Sequence, residues 1–549
     1  MTRRFYLTAT LVLSFLSVRA EIHVETMETV EFMSALSRLA DYPEYCLDNS
    51  NYAKEIDTWF KQYKNHETVT YHKKLRSSYV SYSAVASMGV HLYIEDNTLI
   101  LHSDTKMLEK PWSYVDINEA LKKYNKFYKE TKFHEFYMAH KEEFDKTVKE
   151  YCGRVIPFFH EEWYNSFYGV ENNEDYWIII SFNGGGHNYG VSRNTSNNRR
   201  NVYNVCTYNS ESNPLNVSGT LIHEFNHSFV NPELEKGSNL QNLNNAGNWL
   251  LKFSSWAMSN AQAYGAWYGV VEESIVRAAV TIYMLNYNYD KKTIRGNVVN
   301  NIASGFSWMP EIVEYLRTYI SKRNRYKTLN DFYPEIIKCF NEYIENEQSR
   351  IDNCTKVKEG LSISLTNDEF SHSSIDPLLE SSTNMNLLKE CGDGLYMLSS
   401  LDMNSQSYNS WSSVINESIV RAGSIVSMVS KDYSKKIITD AVTDEISKGF
   451  TWMPELVESL IYYSCHRDQY PTLNDFYPEI AKCLNSYVDK VLKRVDSCIS
   501  NSEETSIPQV RMPKIMDDND IPYYDLKGTR VITPQKGIYI RNGKKIMIK

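Results

Sequence analysis

The chain has 549 residues, a length that suits three or four domains, and its 42% apolar content is enough for ordinary packed cores. A net charge of −9 argues against a nucleic-acid binder, because phosphate needs a basic surface, and the one dense basic run is the short "RNGKK" near the C-terminus. The 41 tyrosines read as amphipathic core filling.

In chain order, Arg3 and Arg4 precede the apolar run "FYLTATLVLSFLSV", which "VRA" closes on a small residue. This is the pattern of a secretory signal peptide over 1–20, cleaved after Ala20. No cysteine follows that point to carry a lipid anchor, and no later apolar run is long enough to span a bilayer. The expectation is an exported protein, extracellular, at the cell surface or periplasmic, without a membrane span. Residues 21–160 read as mostly helical, from amphipathic runs such as "INEALKKYNKFYKE". The stretch from Glu21 to about Cys152 is either a propeptide or, as expected here, part of the fold that follows. Next come two strand candidates, "DYWIIISFNGGGHNYGVS" (175–192), broken by a glycine loop, and "NVYNVCTY" (201–208).

"VSGTLIHEFNHSFVNP" (217–232) reads as one helix, capped by Asn216 or Ser218 and ended by Pro232. Leu221, Ile222, Phe225 and Phe229 form its apolar face, and His223 and His227 project together from the other side. Two imidazoles one turn apart can reach one Zn²⁺, the geometry behind the HExxH signature of metalloproteases, with Glu224 beside them to reach a water on the metal. A catalytic zinc needs a third protein ligand, and Glu273 in "VEESIVRA" is the choice, with Glu272 as competitor. Glu273 and Arg277, spaced i and i+4, also fit a structural ion pair. His187 in "GGGHNYG" is read as a solvent-facing or substrate-side residue rather than a ligand.

The chain matches itself at a shift of 144 residues. "WYGVVEESIVRA" (267–278) lies over "WSSVINESIVRA" (411–422), and "TLNDFYPEIIKC" (328–339) over "TLNDFYPEIAKC" (472–483). At a shift of 145, "IHEFNHSFVNP" (222–232) lies over "NDEFSHSSIDP" (367–377), so that His372 matches His227, Glu369 matches Glu224, and Asp368 stands where His223 would be. Glu417 matches Glu273, Arg421 matches Arg277, and Asn416 replaces Glu272. The spacing predicts a duplicated helical segment whose second copy has lost its metal site, and the shared "WMPE" and "LNDFYPE" blocks read as core and turn elements. Cys339 and Cys354, like Cys483 and Cys498, stand fifteen residues apart. Along one helix that is about 22 Å, too far for a disulfide, so free thiols are expected.

An HExxH followed by a distant Glu on another helix resembles the gluzincin zinc peptidases. More closely, "LIHEFNHSFVNP", "ESIVRA" and the opening "VETMETVEFMSALSRLADYPEY" resemble the secreted bacterial domain-of-unknown-function family 4932. The resemblance implies an α+β, mostly helical, zincin-like fold: a small β-sheet above the motif helix, with helices behind, followed by a degenerate duplicate of the helical half. The expected layout is a signal peptide (1–20), an N-terminal helical region (21–160), a zincin-like catalytic domain (161–355), a degenerate repeat of 216–355 (356–500) and a linker with a C-terminal tail (501–549). The last 27 residues, with "KGIYIRNGKK", resemble the sorting tails of type IX secretion cargo, which implies an encounter with outer-membrane secretion machinery; a terminal β-hairpin turning at "NGKK" is the plainer alternative.

The function expected is a zinc-dependent hydrolase, a peptidase acting on peptide or protein substrates. Zn²⁺ sits on His223, His227 and Glu273, and Glu224 serves as general base and acid. Arg277, Tyr283 and Tyr287 are the candidates for a second donor to the oxyanion. One of the strands 176–182 or 201–208 would pair with an extended substrate. The alternative is a non-catalytic surface or binding protein on a retired zincin scaffold.

Overall fold

The computed structural model describes residues 22–170, 174–195, 199–260, 266–366, 368–405 and 408–500, together with four short strands beyond residue 522. Residues 1–20, read above as a signal peptide, and 501–520, read as a linker, lie outside the described residues. Helices dominate, and among the described residues no helix is long and apolar enough to cross a membrane.

The main sheet has the order β1-β4-β6-β5, built from β1 (Ile22–Glu25), β4 (Glu174–Ile180), β5 (Asn188–Asn194) and β6 (Arg200–Cys206). β1, β4 and β6 run parallel, with Ile22 opposite Tyr176 and Tyr176 opposite Val202; β5 is antiparallel to β6, with Gly190 opposite Asn204. Side chains alternate as a pleated strand requires. Tyr176, Ile178 and Ile180 join the large core against the motif helix, while Ile179, Tyr203 and Val205 pack on the other face with Val30, Ala86 and Val90. The sheet is thus a middle layer between the motif helix and two N-terminal helices, Glu28–Leu39 and Ser83–His91.

Because β1 is part of this sheet, the N-terminal region is integral to the fold. It has its own aromatic core, in which Phe32 meets Tyr128 and Phe133 edge-on and Phe60 stacks on Phe133. It also carries a hairpin that the helical expectation missed: β2 (Leu92–Glu95) and β3 (Thr98–Leu101), joined through Asp96 and Asn97 at φ 47° and 56°. Positive φ at both loop residues is what a tight hairpin turn demands, and Asp and Asn tolerate it.

The motif helix runs Pro214–Leu234. Asn213 caps it, its Oδ1 accepting from Leu215 N–H at 3.0 Å, and Pro214 occupies the first turn where no amide is needed. The cap therefore lies earlier than Asn216 or Ser218. Pro232 does not end the helix either. Its missing N–H would have bonded the Ser228 carbonyl, and Arg200 on β6 fills that place, donating from Nη1 at 2.9 Å.

Behind the motif helix lie Asn239–Asn260, Trp267–Asn286, Lys291–Ala303, Met309–Ser321 and Leu329–Cys354. Five further helices have closely matching lengths and order: Ser382–Ser405, Trp411–Ser430, Lys435–Ser447, Met453–Cys465 and Leu473–Ile499. Local contacts recur too. Trp308 Nε1 donates to Ser274 Oγ at 2.8 Å, and Trp452 Nε1 to Ser418 Oγ at 2.9 Å. Thr328 with Asp331, and Thr472 with Asp475, form the same capping box. A Cβ on Gly247 or on Gly392 would stand 2.3 Å from the Trp267 or Trp411 ring, so both helix pairs need glycine for close approach.

The two sets meet reciprocally. Leu329–Cys354 packs on Met453–Cys465, and Leu473–Ile499 packs on Met309–Ser321. Arg350 reaches Glu455 at 2.6 Å and the Thr451 carbonyl at 3.0 Å; Arg494 reaches Glu311 at 2.6 Å and the Ser307 carbonyl at 3.0 Å. Exchange of matching residues in both directions is the mark of an isologous, pseudo-two-fold contact. At the C-terminus, β7 (Tyr523–Tyr524), β8 (Arg530–Val531), β9 (Gly537–Arg541) and β10 (Lys544–Ile548) form a small sheet in which β9 and β10 pair antiparallel, Arg541 opposite Lys544.

Candidate metal centre

His223 and His227 leave the motif helix one turn apart and meet the helix Trp267–Asn286, which packs across it. Their Nε2 atoms are 3.2 Å apart. Glu273 faces both, with Oε2 3.6 Å from His223 Nε2 and Oε1 3.4 Å from His227 Nε2. Around a tetrahedral zinc with bonds of about 2.0–2.1 Å, donor atoms stand roughly 3.3 Å from one another. The three donors therefore fit a zinc ion, and among the described residues they are the one group placed to hold a metal.

Glu272 and Glu273, which the sequence left as competitors, have different neighbours. Glu272 Oε1 accepts from His227 Nδ1–H at 2.9 Å, which orients the ring so that Nε2 is the nitrogen facing the centre. Glu273 stands as the third donor and also accepts from Arg277 Nε at 2.8 Å, so the ion pair does not withdraw it from the two histidines. Arg277 is held by Asn301 Oδ1 at 3.1 Å and lies over the Phe306 ring.

Burial pushes the His223 imidazole down to about 3, which keeps it neutral and able to ligate. Burial opposes protonation of His227 too, but Glu272 and Glu273 outweigh it and hold that group well above its ordinary value. For Glu273, burial raises the carboxyl while His223, His227 and Arg277 together hold it below the usual carboxylate range. The site thus gathers anionic groups that a dication would balance. Burial lifts Glu224 to about 7, and its Oε2 accepts from Gly190 N–H of β5 at 3.1 Å. Gly190 must be glycine here, since a Cβ would lie 2.6 Å from the Glu224 carbonyl. A cavity of about 350 Å³ opens beside His223 and Glu224, walled by Thr220, Arg277, Val280, Met284 and Asn297.

Several expectations need correction. Tyr283 does not face the centre: its hydroxyl donates to the Phe158 carbonyl at 2.8 Å and accepts from His160 N–H at 2.9 Å. Tyr287 stacks on His160 and donates to Glu162. Of the three donors considered, only Arg277 reaches the cavity. The strands 176–182 and 201–208 correspond to β4 and β6, which are both interior, so the edge beside Glu224 belongs to β5. His187 stands before β5 against Tyr82 and Tyr189, apart from the three donors.

The matching place in the second half carries part of this arrangement. His372 Nδ1 contacts Asn416 Oδ1 at 3.1 Å, and its Nε2 lies 3.4 Å from Glu417, which pairs with Arg421 at 3.0 Å. The helix there starts only at His372, so Asp368, at φ 59°, precedes it and has no turn to stand on. Glu369 is tied off at 8% exposure by Arg467 at 2.6 Å and by the Tyr463 hydroxyl.

A family model described as Domain of unknown function (DUF4932) matches residues 16–339 and 351–483. The chain belongs to the DUF4932 family. It matches no curated protein and no solved structure. The DUF4932 match takes in the motif helix, the helix bearing Glu272 and Glu273, and the altered counterpart around Asp368.

Proposed function

We propose that this DUF4932 protein is an exported zinc-dependent hydrolase of zincin-like fold, a peptidase whose catalytic base is Glu224. The observation that carries this reading is the convergence of His223, His227 and Glu273, with the two Nε2 atoms 3.2 Å apart and a Glu273 oxygen 3.6 Å from one and 3.4 Å from the other, and with the half-buried Glu224 carboxylate next to them. Zinc, when bound, supplies Lewis acidity toward a water and a carbonyl oxygen. The chain's own residues do the rest. Glu224, beside the two histidines and lining the cavity, is placed to take a proton and return it to a leaving amine. Gly190 N–H holds Glu224 Oε2 in place, and Glu272 holds His227. Arg277 steadies Glu273 and borders the cavity, where its guanidinium is a fixed positive charge close to a developing oxyanion. The Gly190 amide leaves β5 on the side away from β6, which supports that edge as the one along which an extended peptide would add as a further strand.

In this reading the second helical half is a degenerate duplicate without catalysis. Its contribution is the reciprocal face closed by Arg350 and Arg494. Export through the 1–20 signal, and passage of the outer membrane by way of the C-terminal tail, belong to the same proposal. The test is cleavage of a synthetic peptide library by the zinc-loaded protein. Glu224→Gln should retain the metal and lose activity by about 10²-fold or more. Undiminished cleavage by that variant would refute the role given to Glu224. Absence of cleavage by the wild type would favour a binding protein on a retired zincin scaffold.

A further inference from the structure

Tyr82 has a backbone that tyrosine rarely adopts. It sits at φ 50° and ψ −124°, the first corner of a turn closed by Ala84 N–H on the Ser81 carbonyl at 3.0 Å. That corner is normally glycine, because a Cβ is crowded there. Tyr79, three residues earlier, is also left-handed at φ 65°. Neither side chain is repaid by burial: Tyr79 is 78% exposed and Tyr82 42%. A strained conformation persists only where its surroundings impose it, and such places concentrate at functional sites.

The surroundings here are specific. The Glu44 carboxylate, 1% exposed, accepts from Tyr82 N–H at 3.2 Å and from Arg76 at 2.6 Å. Arg76 lies over the Tyr82 ring. His187 meets that ring edge-on, at 6.1 Å and 89°. The glycine loop before His187 rests on the same support, with Gly185 so close to the Glu44 carbonyl that a Cβ would stand 1.8 Å from it. One buried carboxylate residue therefore sets both the tyrosine and the loop that leads into β5. Gly190, the residue that holds Glu224, comes three positions after His187. At about 3.4 Å per residue, His187 stands on the order of 10 Å along the chain from Gly190, the residue that holds Glu224.

We infer that Tyr82, backed by His187, is a recognition platform for an aromatic or large aliphatic side chain of the peptide substrate, about three residues from the bond cleaved. This rests on the hydrolase reading for its substrate class, while its own evidence is the strained, propped and exposed ring. An apolar side chain laid on the exposed part of the ring loses water from both surfaces.

The experiment uses the zinc-loaded full chain as wild type, Tyr82→Gly and Tyr82→Phe, with short labelled peptides differing only in Phe or Ala at one position. Two readouts are taken: kcat/KM for cleavage, and binding of the same peptides by fluorescence anisotropy to Glu224→Gln backgrounds. Wild type and Tyr82→Phe should favour the Phe peptide by about tenfold, expressed in KM rather than kcat. Tyr82→Gly should bring the ratio to about one while the melting temperature does not fall, because glycine accepts the positive φ. An unchanged Phe preference in Tyr82→Gly, in either readout, overturns the inference even if cleavage is robust. Binding selectivity that depends on Tyr82 in a protein that cleaves nothing would sustain it and instead remove the hydrolase reading.

Discussion

Arg350→Met and Arg494→Met should both destabilise the protein, and Arg350→Met should do so more. The two arginines occupy matching places, yet their partners differ. Arg494 serves one carboxylate, Glu311, through Nε and Nη2, each at 2.6 Å, and adds the Ser307 carbonyl. Arg350 serves Glu455 in the same way and also Glu347, whose side chain is 8% exposed. The counterpart of Glu347 in the second half is Val491, so Arg494 has no such duty. Breaking a buried pair costs about 3–5 kcal/mol, chiefly from the charge left behind. Arg494 and Glu311 keep 28% and 29% exposure, so water would relieve part of the loss and about 2 kcal/mol is expected. Arg350→Met strands the more deeply buried Glu347 as well, and about 3 kcal/mol is expected. Urea denaturation followed by circular dichroism reads both, as shifts in midpoint at constant slope. The double variant Glu347→Gln/Arg350→Met should recover part of the loss. Equal costs for the two arginines, or a larger one for Arg494, would refute the assignment of Glu347 as the difference between the halves.

Glu272→Gln should weaken zinc binding by about tenfold to a hundredfold, measured by competition with a chromophoric chelator, since it loosens the partner of His227 without removing a ligand; unchanged affinity would contradict that role. Glu31→Gln should flatten the pH dependence of stability. Burial lifts the Glu31 carboxyl from 4.5 to about 7. The folded state therefore binds the extra proton. Its stability is highest below the unfolded value and falls by about 3 kcal/mol as pH rises from about 4.5 to 7. Melting temperatures of wild type and the Glu31→Gln variant across that window test this. The variant should gain on the wild type as pH rises to about 7 and hold a constant difference above it, whereas parallel curves throughout would contradict the shift.

The motif helix was legible because two histidines four apart must share a face, whatever packs around them. Glu273 was legible as a candidate donor, but its separation from Glu272 was not. Adjacent residues on a helix differ by about 100°, and only the angle at which the two helices cross decides which carboxylate reaches Nε2 and which reaches Nδ1. Tyr283 shows the cost of ignoring that rotation: six residues beyond Arg277, it lies about 240° further round the helix and looks into the core. Strand order depends on pairing between distant segments, so the edge position of β5 could not be read from its own residues. The β2–β3 hairpin did leave a signal, the alternating "LYIEDNTLIL" with polar residues at its turn, within a stretch whose helical periodicity was stronger. Pro232 was read by its usual effect, and the donor that cancels it, Arg200, lies 32 residues away in sequence. The strain at Tyr82 left no mark in the sequence, because only the backbone geometry reveals it.

The most direct measurement is the zinc content of the purified protein by elemental mass spectrometry, beside His223→Ala and Glu273→Gln. About one zinc per chain is expected, lost in His223→Ala and reduced in Glu273→Gln. No zinc after reconstitution, or an equal content in His223→Ala, would contradict the zinc centre.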